Sequence, residues 1–108
     1  MFEKYSTMGY VHAAAGIERK TLVYGTRTLM TEFRMQGPRT LSAHAHPHEQ
    51  IGYLVTGRLY MSIGGEVYDV QPGDSWCIPG DVEHQVEVVE DSVVIEVFSP
   101  VREEYLPE

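Results

Sequence analysis

The strongest constraint on this chain is its punctuation. Eight short runs with β-like character, "TLVYG", "LMTEFRM", "IGYLV", "RLYMSI", "EVYDV", "SWCIP", "QVEVV" and "SVVIEVF", are separated by glycine- and proline-bearing turns, and no stretch carries a convincing helical period. Many short strands at such spacing predict an all-β barrel or sandwich. Gly64-Gly65 joins two of the runs as a two-residue hairpin in which both positions take positive φ. Pro72-Gly73 and Pro79-Gly80 have the order of a type II turn, with proline presetting φ and glycine taking the left-handed position. A single turn of helix is expected in the C-terminal "VREEYL".

With 108 residues the chain fits one domain with one core, 1–108, its barrel spanning about residues 20–100 between short extensions. No tract is long and apolar enough to cross a bilayer, so a membrane role is not expected. The start, "MFEKYSTMGY", lacks the basic-then-apolar order of a secretory signal, and the only cysteine, Cys77, has no intrachain partner for a disulfide. A cytoplasmic location is therefore expected. A formal charge of −8 with no basic stripe argues against nucleic acid as a partner. An acidic protein that binds an anion must invert its field locally, by a metal ion or a placed arginine.

Three of the five histidines fall in "HAHPHEQ", residues 44–50. On an extended strand His44 and His46 share a face, as two ligands of one ion require. An isolated His-x-His is more often a half-exposed strand end whose imidazoles bond to solvent or carbonyls. Distribution changes that balance: a fourth histidine, His84, follows a second glycine- and proline-punctuated segment, "GDSWCIPGDVEH".

Gly37, His44-x-His46, Gln50 and Gly57 resemble the first cupin motif, and Gly73, Pro79 and His84 resemble the second. The resemblance implies a double-stranded β-helix, a jelly-roll-like barrel, holding one divalent transition metal on His44, His46, Gln50 and His84. Most cupins carry glutamate at the position of Gln50, glycine at Asp81 and asparagine at Val88. Glu49 competes with Gln50, but neighbours on an extended segment face opposite ways, which favours Gln50. His48 has the right parity, yet Pro47 breaks the strand before it and a loop role or a supporting one is expected. Three imidazoles and an amide leave the ion's charge unbalanced, so the site favours an anionic substrate and Lewis-acid chemistry. Zn, Ni and Fe all suit such ligands.

"HAHPHEQIGYLVTGR", "IPGDVEH" and the terminal "EVFSPVREEYL" resemble more closely the KdgF family of short pectin-degradation cupins. Its members open 4,5-unsaturated galacturonate or glucuronate to the linear 4-deoxy-5-keto uronate. In "SVVIEVFSP" Val94, Glu96 and Phe98 share one strand face, so an inward Glu96 would place a carboxylate in an apolar pocket as general acid/base. That family carries aspartate at this position. Phe98 would wall the sugar ring, and Arg102 would grip the substrate carboxylate with its fork of donors. The plainer alternatives are an outward charge at Glu96, a core aromatic at Phe98 and a surface arginine paired with Glu103 or Glu104. His12 reads as a surface or packing residue, and Trp76 and Cys77 as packing residues. Two other functions share the same ligands: an Fe(II) cupin dioxygenase and a non-catalytic sugar-acid binder. A homodimer is expected because small barrels leave strand edges to cover.

Overall fold

Two strands are far longer than any run read from the sequence. In the structure, a computed structural model that describes residues 1–107, the elements are β1 (Val11–Ala14), β2 (Ile17–Tyr24), β3 (Leu29–Met35), β4 (Arg39–His44), β5 (Glu49–Ile63), β6 (Glu66–Val70), β7 (Ser75–Ile78) and β8 (His84–Ser99). A 3-10 turn follows at Glu103–Tyr105, where one turn of helix was expected. The runs 51–55 and 58–63 are one strand, β5, and the runs 85–89 and 92–98 are one strand, β8. No helix of the described residues is long and apolar enough to cross a membrane.

β5 and β8 pair antiparallel from Glu49↔Ser99 to Ile63↔His84, and each takes different neighbours along its two halves. The C-terminal half of β8 pairs β3, which continues through β2 to β1, while its N-terminal half pairs β4. The N-terminal half of β5 pairs β7 and its C-terminal half pairs β6. Two sheet layers therefore share one bent pair of strands, and the all-β barrel of the cupin type expected from the sequence is the observed fold.

The bend lies where the β5–β8 register shifts, between Leu54 and Leu59. Leu54 and Leu59 are both fully buried although five positions separate them, so the irregularity restores the inward parity that strict alternation would lose. Gly57 makes this feasible: its φ is +102°, and a Cβ there would collide with the Ser92 side chain and the Asp91 carbonyl. The Ser92 hydroxyl donates to the Glu90 carbonyl at 2.7 Å and accepts from the Arg58 amide at 3.1 Å, so the crossing is hydrogen-bonded across the two strands. Gly37 abuts the Glu90 backbone at the same place. Between the layers lies one apolar cluster that includes Ile17, Met35, Leu54, Leu59, Met61, Ile78, Val88 and Val94.

The turns follow local chemistry, with one correction. Gly64 and Gly65 have φ of +56° and +89°, as the hairpin requires, and Gly73 has +95° after Pro72. After Pro79 the left-handed residue is Asp81, at +64°, and not Gly80. Aspartate is among the few residues that tolerate this conformation. Gly80 serves another need, because a Cβ there would strike the Pro47 carbonyl.

If Gly57 sets the bend, Gly57→Ala should lower unfolding free energy by about 2–4 kcal/mol, combining positive-φ strain with overpacking. Gly65→Ala, which has open space around its Cβ, should cost only about 1 kcal/mol of strain. Urea denaturation of both variants checks this, and equal losses would refute a special role for Gly57.

Candidate active site

Because β5 and β8 fold back at the bend, residues from their far ends meet at the other end of the barrel. His84 opens β8 directly opposite His44 at the end of β4, and their ring centroids lie 4.2 Å apart. His46 is not on the strand with His44, as parity had suggested, but in the loop past it. Its place is set by the other motif: the Asp81 amide donates to the His46 carbonyl at 2.8 Å, and Gly80 lets that turn close on Pro47. The His46 ring centroid lies 5.1 Å from that of His84.

One ligand atom from each of His44, His46 and His84 falls within 4.8 Å of the others. His44 Nδ1 donates to the Ser42 carbonyl at 3.1 Å and His84 Nδ1 to the Val82 carbonyl at 2.9 Å, which leaves both Nε2 lone pairs free. His84 Nε2 is buried without a partner, an expensive state for a polar atom that a metal ion would relieve. Burial is the largest cause lowering the pKa of His46 and of His84, so both are neutral and able to ligate at pH 7. These donors fit a transition metal.

Gln50, buried at 5% exposure, lies beside the three histidines, while Glu49 points outward and is exposed, as alternation required. Gln50 Oε1 accepts from His46 Nε2 at 2.7 Å, and Gln50 Nε2 donates to the Glu96 carboxylate. With its nitrogen turned to Glu96, the amide presents its oxygen to the histidines. His48 stands beside the cluster, its ring 5.5 Å from that of His46, and belongs to the loop.

Glu96 faces inward with Val94 and Phe98. It pairs with Gly52 of β5, which in turn pairs with Trp76 of β7. A Cβ on Gly52 would run into the Trp76 indole, so the glycine admits that ring over the site. Trp76 thus lines the cavity as well as packing, and Cys77 is exposed, contrary to its expected packing role. Burial pushes the Glu96 carboxyl from an ordinary 4.5 to about 7, against the opposing influence of Gln50, Trp76 and Arg102.

The cavity, about 170 Å³, is walled by Phe33, Leu41, Trp76, Phe98 and Tyr105, with His44, His84, Gln50, Glu96 and Arg102 as its polar groups. The Arg102 side chain keeps only 15% exposure, pairs with Glu104 at 2.6 Å and lies over Phe98, so it satisfies the surface-pair alternative and also faces the cavity. Tyr105 and Trp76 escaped the sequence reading as lining residues. Tyr105 follows the last strand, where no alternation pattern reports direction. His12 is exposed and lies outside this lining.

Residues 31–99 match the family described as the cupin domain. The chain is 29% identical over 93 residues to the pectin degradation protein KdgF of Dickeya dadantii (strain 3937), covering 84% of each. The solved structure of KdgF from Halomonas sp. superposes with a TM-score of 0.91 at 29% identity, over 98% of this chain and all of that one. An RmlC-like cupin from Shewanella frigidimarina superposes at 0.92 over 98% of this chain and 96% of that one, and at 22% identity shows likeness of fold.

The Glu96 environment has a sign that can be measured in metal-free protein. With its folded pKa at about 7 and the unfolded value at 4.5, the folded chain holds an extra proton between those pH values, so this group's stabilisation is full below 4.5 and is lost as pH rises through 7. Glu96→Gln should therefore gain stability over wild type as pH rises across that window, by on the order of 2–3 kcal/mol. Denaturation midpoints from pH 4.5 to 8 report the difference, and one that does not change with pH would mean that the carboxyl is solvated.

Proposed function

The chain belongs to the cupin family, and on that premise we propose that it is a metal-dependent enzyme of pectin- or alginate-type uronate catabolism, opening 4,5-unsaturated galacturonate or glucuronate to the linear 4-deoxy-5-keto uronate. The observation that carries this is Glu96: a half-buried carboxyl facing the cavity, its pKa raised by desolvation, hydrogen-bonded to Gln50 beside three clustered histidines, in a cavity that also holds an arginine. The likeness to two KdgF proteins supports it.

A divalent transition metal, with Zn, Ni and Fe all suited, would be held by His44, His46, Gln50 and His84 and would supply Lewis acidity toward a substrate oxygen. The reaction is an isomerisation. The bond between C1 and the ring oxygen breaks, the C1 hydroxyl gives up its proton to become the aldehyde, the ring oxygen stays on C5 as the ketone, and C4 gains a proton. Glu96 is the group that accepts the first proton and donates the second, and the burial that raises its carboxyl opposes the lowering that a bound cation would bring. Arg102 binds the substrate carboxylate through its terminal nitrogens, the Nε being taken by Glu104. Phe98, beside His46 with ring centroids 5.9 Å apart, is the apolar wall under the sugar ring.

We also propose a cytoplasmic homodimer. The outer face of the sheet exposes Ile51 (50%), Tyr53 (49%) and Val55 (42%) next to the outward side chains of β8, an apolar surface that a second copy would cover. Ile95, which pairs with Tyr53, lies at its centre.

Two measurements follow. Loss of the ultraviolet absorbance of lyase-generated unsaturated galacturonate should run far above background with metal-loaded wild type, fall to background with His84→Ala or a chelator, and slow about 100-fold or more with Glu96→Gln. Wild type at the background rate would end the ring-opening proposal. Sedimentation should give a dimer for wild type and a folded monomer for Ile95→Glu, whereas a monomeric wild type would remove the dimer.

A further inference from the structure

At the rim of the cavity an aromatic ring lies between two cations. The Tyr105 ring has the Arg19 guanidinium carbon 4.3 Å from its centroid and that of Arg102 at 4.4 Å. Arg19 comes from β2, where it pairs with Phe33, and Arg102 from the segment after β8, so the ring joins two parts of the chain that are distant in sequence. Its position is fixed from several sides. The Thr21 hydroxyl donates to the Tyr105 carbonyl, the Tyr105 amide donates to the Arg102 carbonyl at 2.9 Å, and the rings of Phe98 and Phe33 meet it edge-on at 5.3 and 6.0 Å.

Two guanidiniums this close to one ring repel each other, and each is attracted to an aromatic face. The ring therefore acts as a spacer that binds both. Arg102 gains most from it. Its Nε is committed to Glu104, Phe98 lies at 5.1 Å, and among the described residues its terminal nitrogens have no hydrogen-bond partner. In a chain of net charge −8 these two guanidiniums stand together at the rim, with Glu104 paired to Arg102.

We propose that Tyr105 is a positioning residue for anion recognition: its ring holds Arg19 and Arg102 apart and in place, so that Arg102 presents its terminal nitrogens to a carboxylate while Arg19 adds a second positive charge behind it. The identity of that carboxylate, a uronate, rests on the function proposed above. A purely structural Tyr105 would stabilise the C-terminal turn and leave substrate affinity unchanged.

The test is steady-state kinetics on unsaturated galacturonate with metal-loaded wild type, Tyr105→Phe, Tyr105→Leu and Arg19→Gln, alongside metal content and melting temperature. Tyr105→Phe keeps the aromatic spacer and should stay within about twofold of wild type in KM, while Tyr105→Leu should raise KM about tenfold with a smaller change in kcat and unchanged metal content. Arg19→Gln, which leaves the aromatic packing intact, should raise KM about threefold and supplies the answer if Tyr105→Leu does not fold. A wild-type KM in Tyr105→Leu, or in Arg19→Gln where the leucine variant is unfolded, overturns the proposal, as does a Tyr105→Phe as impaired as Tyr105→Leu. If wild type turns nothing over, the ring-opening proposal fails separately, and calorimetric binding of saturated galacturonate decides this one. Weaker binding by either impaired variant supports the spacer, and equal binding, or none to wild type, overturns it.

Discussion

The pairing of β5 with β8 through a shared bend is the constraint on which the rest depends. Each strand serves both layers, so neither layer can shift without carrying the other. The irregular crossing at Gly57 and Ser92 closes one end of the barrel and turns the strand ends together at the other. That is why residues as far apart in the chain as Gln50, His84 and Glu96 line one small cavity. The glycines of the first motif, Gly37 and Gly57, act at the closed end, remote in role from the histidines they accompany.

Burial then selects neutral forms. It lowers the pKa of His46 and His84 and raises that of Glu96, so these groups approach neutrality. The amide at Gln50 belongs to the same balance. A glutamate there would set one carboxylate against another at the contact that Gln50 Nε2 now makes with Glu96, and the like charges would raise both pKa values. An amide donates to Glu96 with one end and keeps an oxygen for the histidines with the other.

Much of this was legible in the residue pattern, for reasons that differ by position. The inward set Val94, Glu96 and Phe98 follows from strict alternation on an unbroken stretch of β8, and the outward Glu49 from the same rule. Gly64-Gly65 could be read because a two-residue hairpin needs positive φ at both positions. The continuity of β5 was not legible: Gly57 looks like a break between strands, whereas it is a bulge inside one, and only the β8 partner distinguishes the two. His46 was placed by a strand that ends before it, and its actual support comes from the Asp81 turn, thirty-five positions further along the chain.

Local sequence determined what depends on near neighbours: strand character, hairpin turns, side-chain parity and the two histidine-bearing segments that mark a cupin. These properties are set by φ preferences and by the two-residue period of an extended chain. Tertiary structure alone decided the rest. The meeting of the motifs, the enclosure that carries Glu96 to about 7 and the seat of Tyr105 between Arg19 and Arg102 all depend on distances between residues remote in the chain. Electrostatics and desolvation act through space, and only the folded path of β5 and β8 says which groups are near.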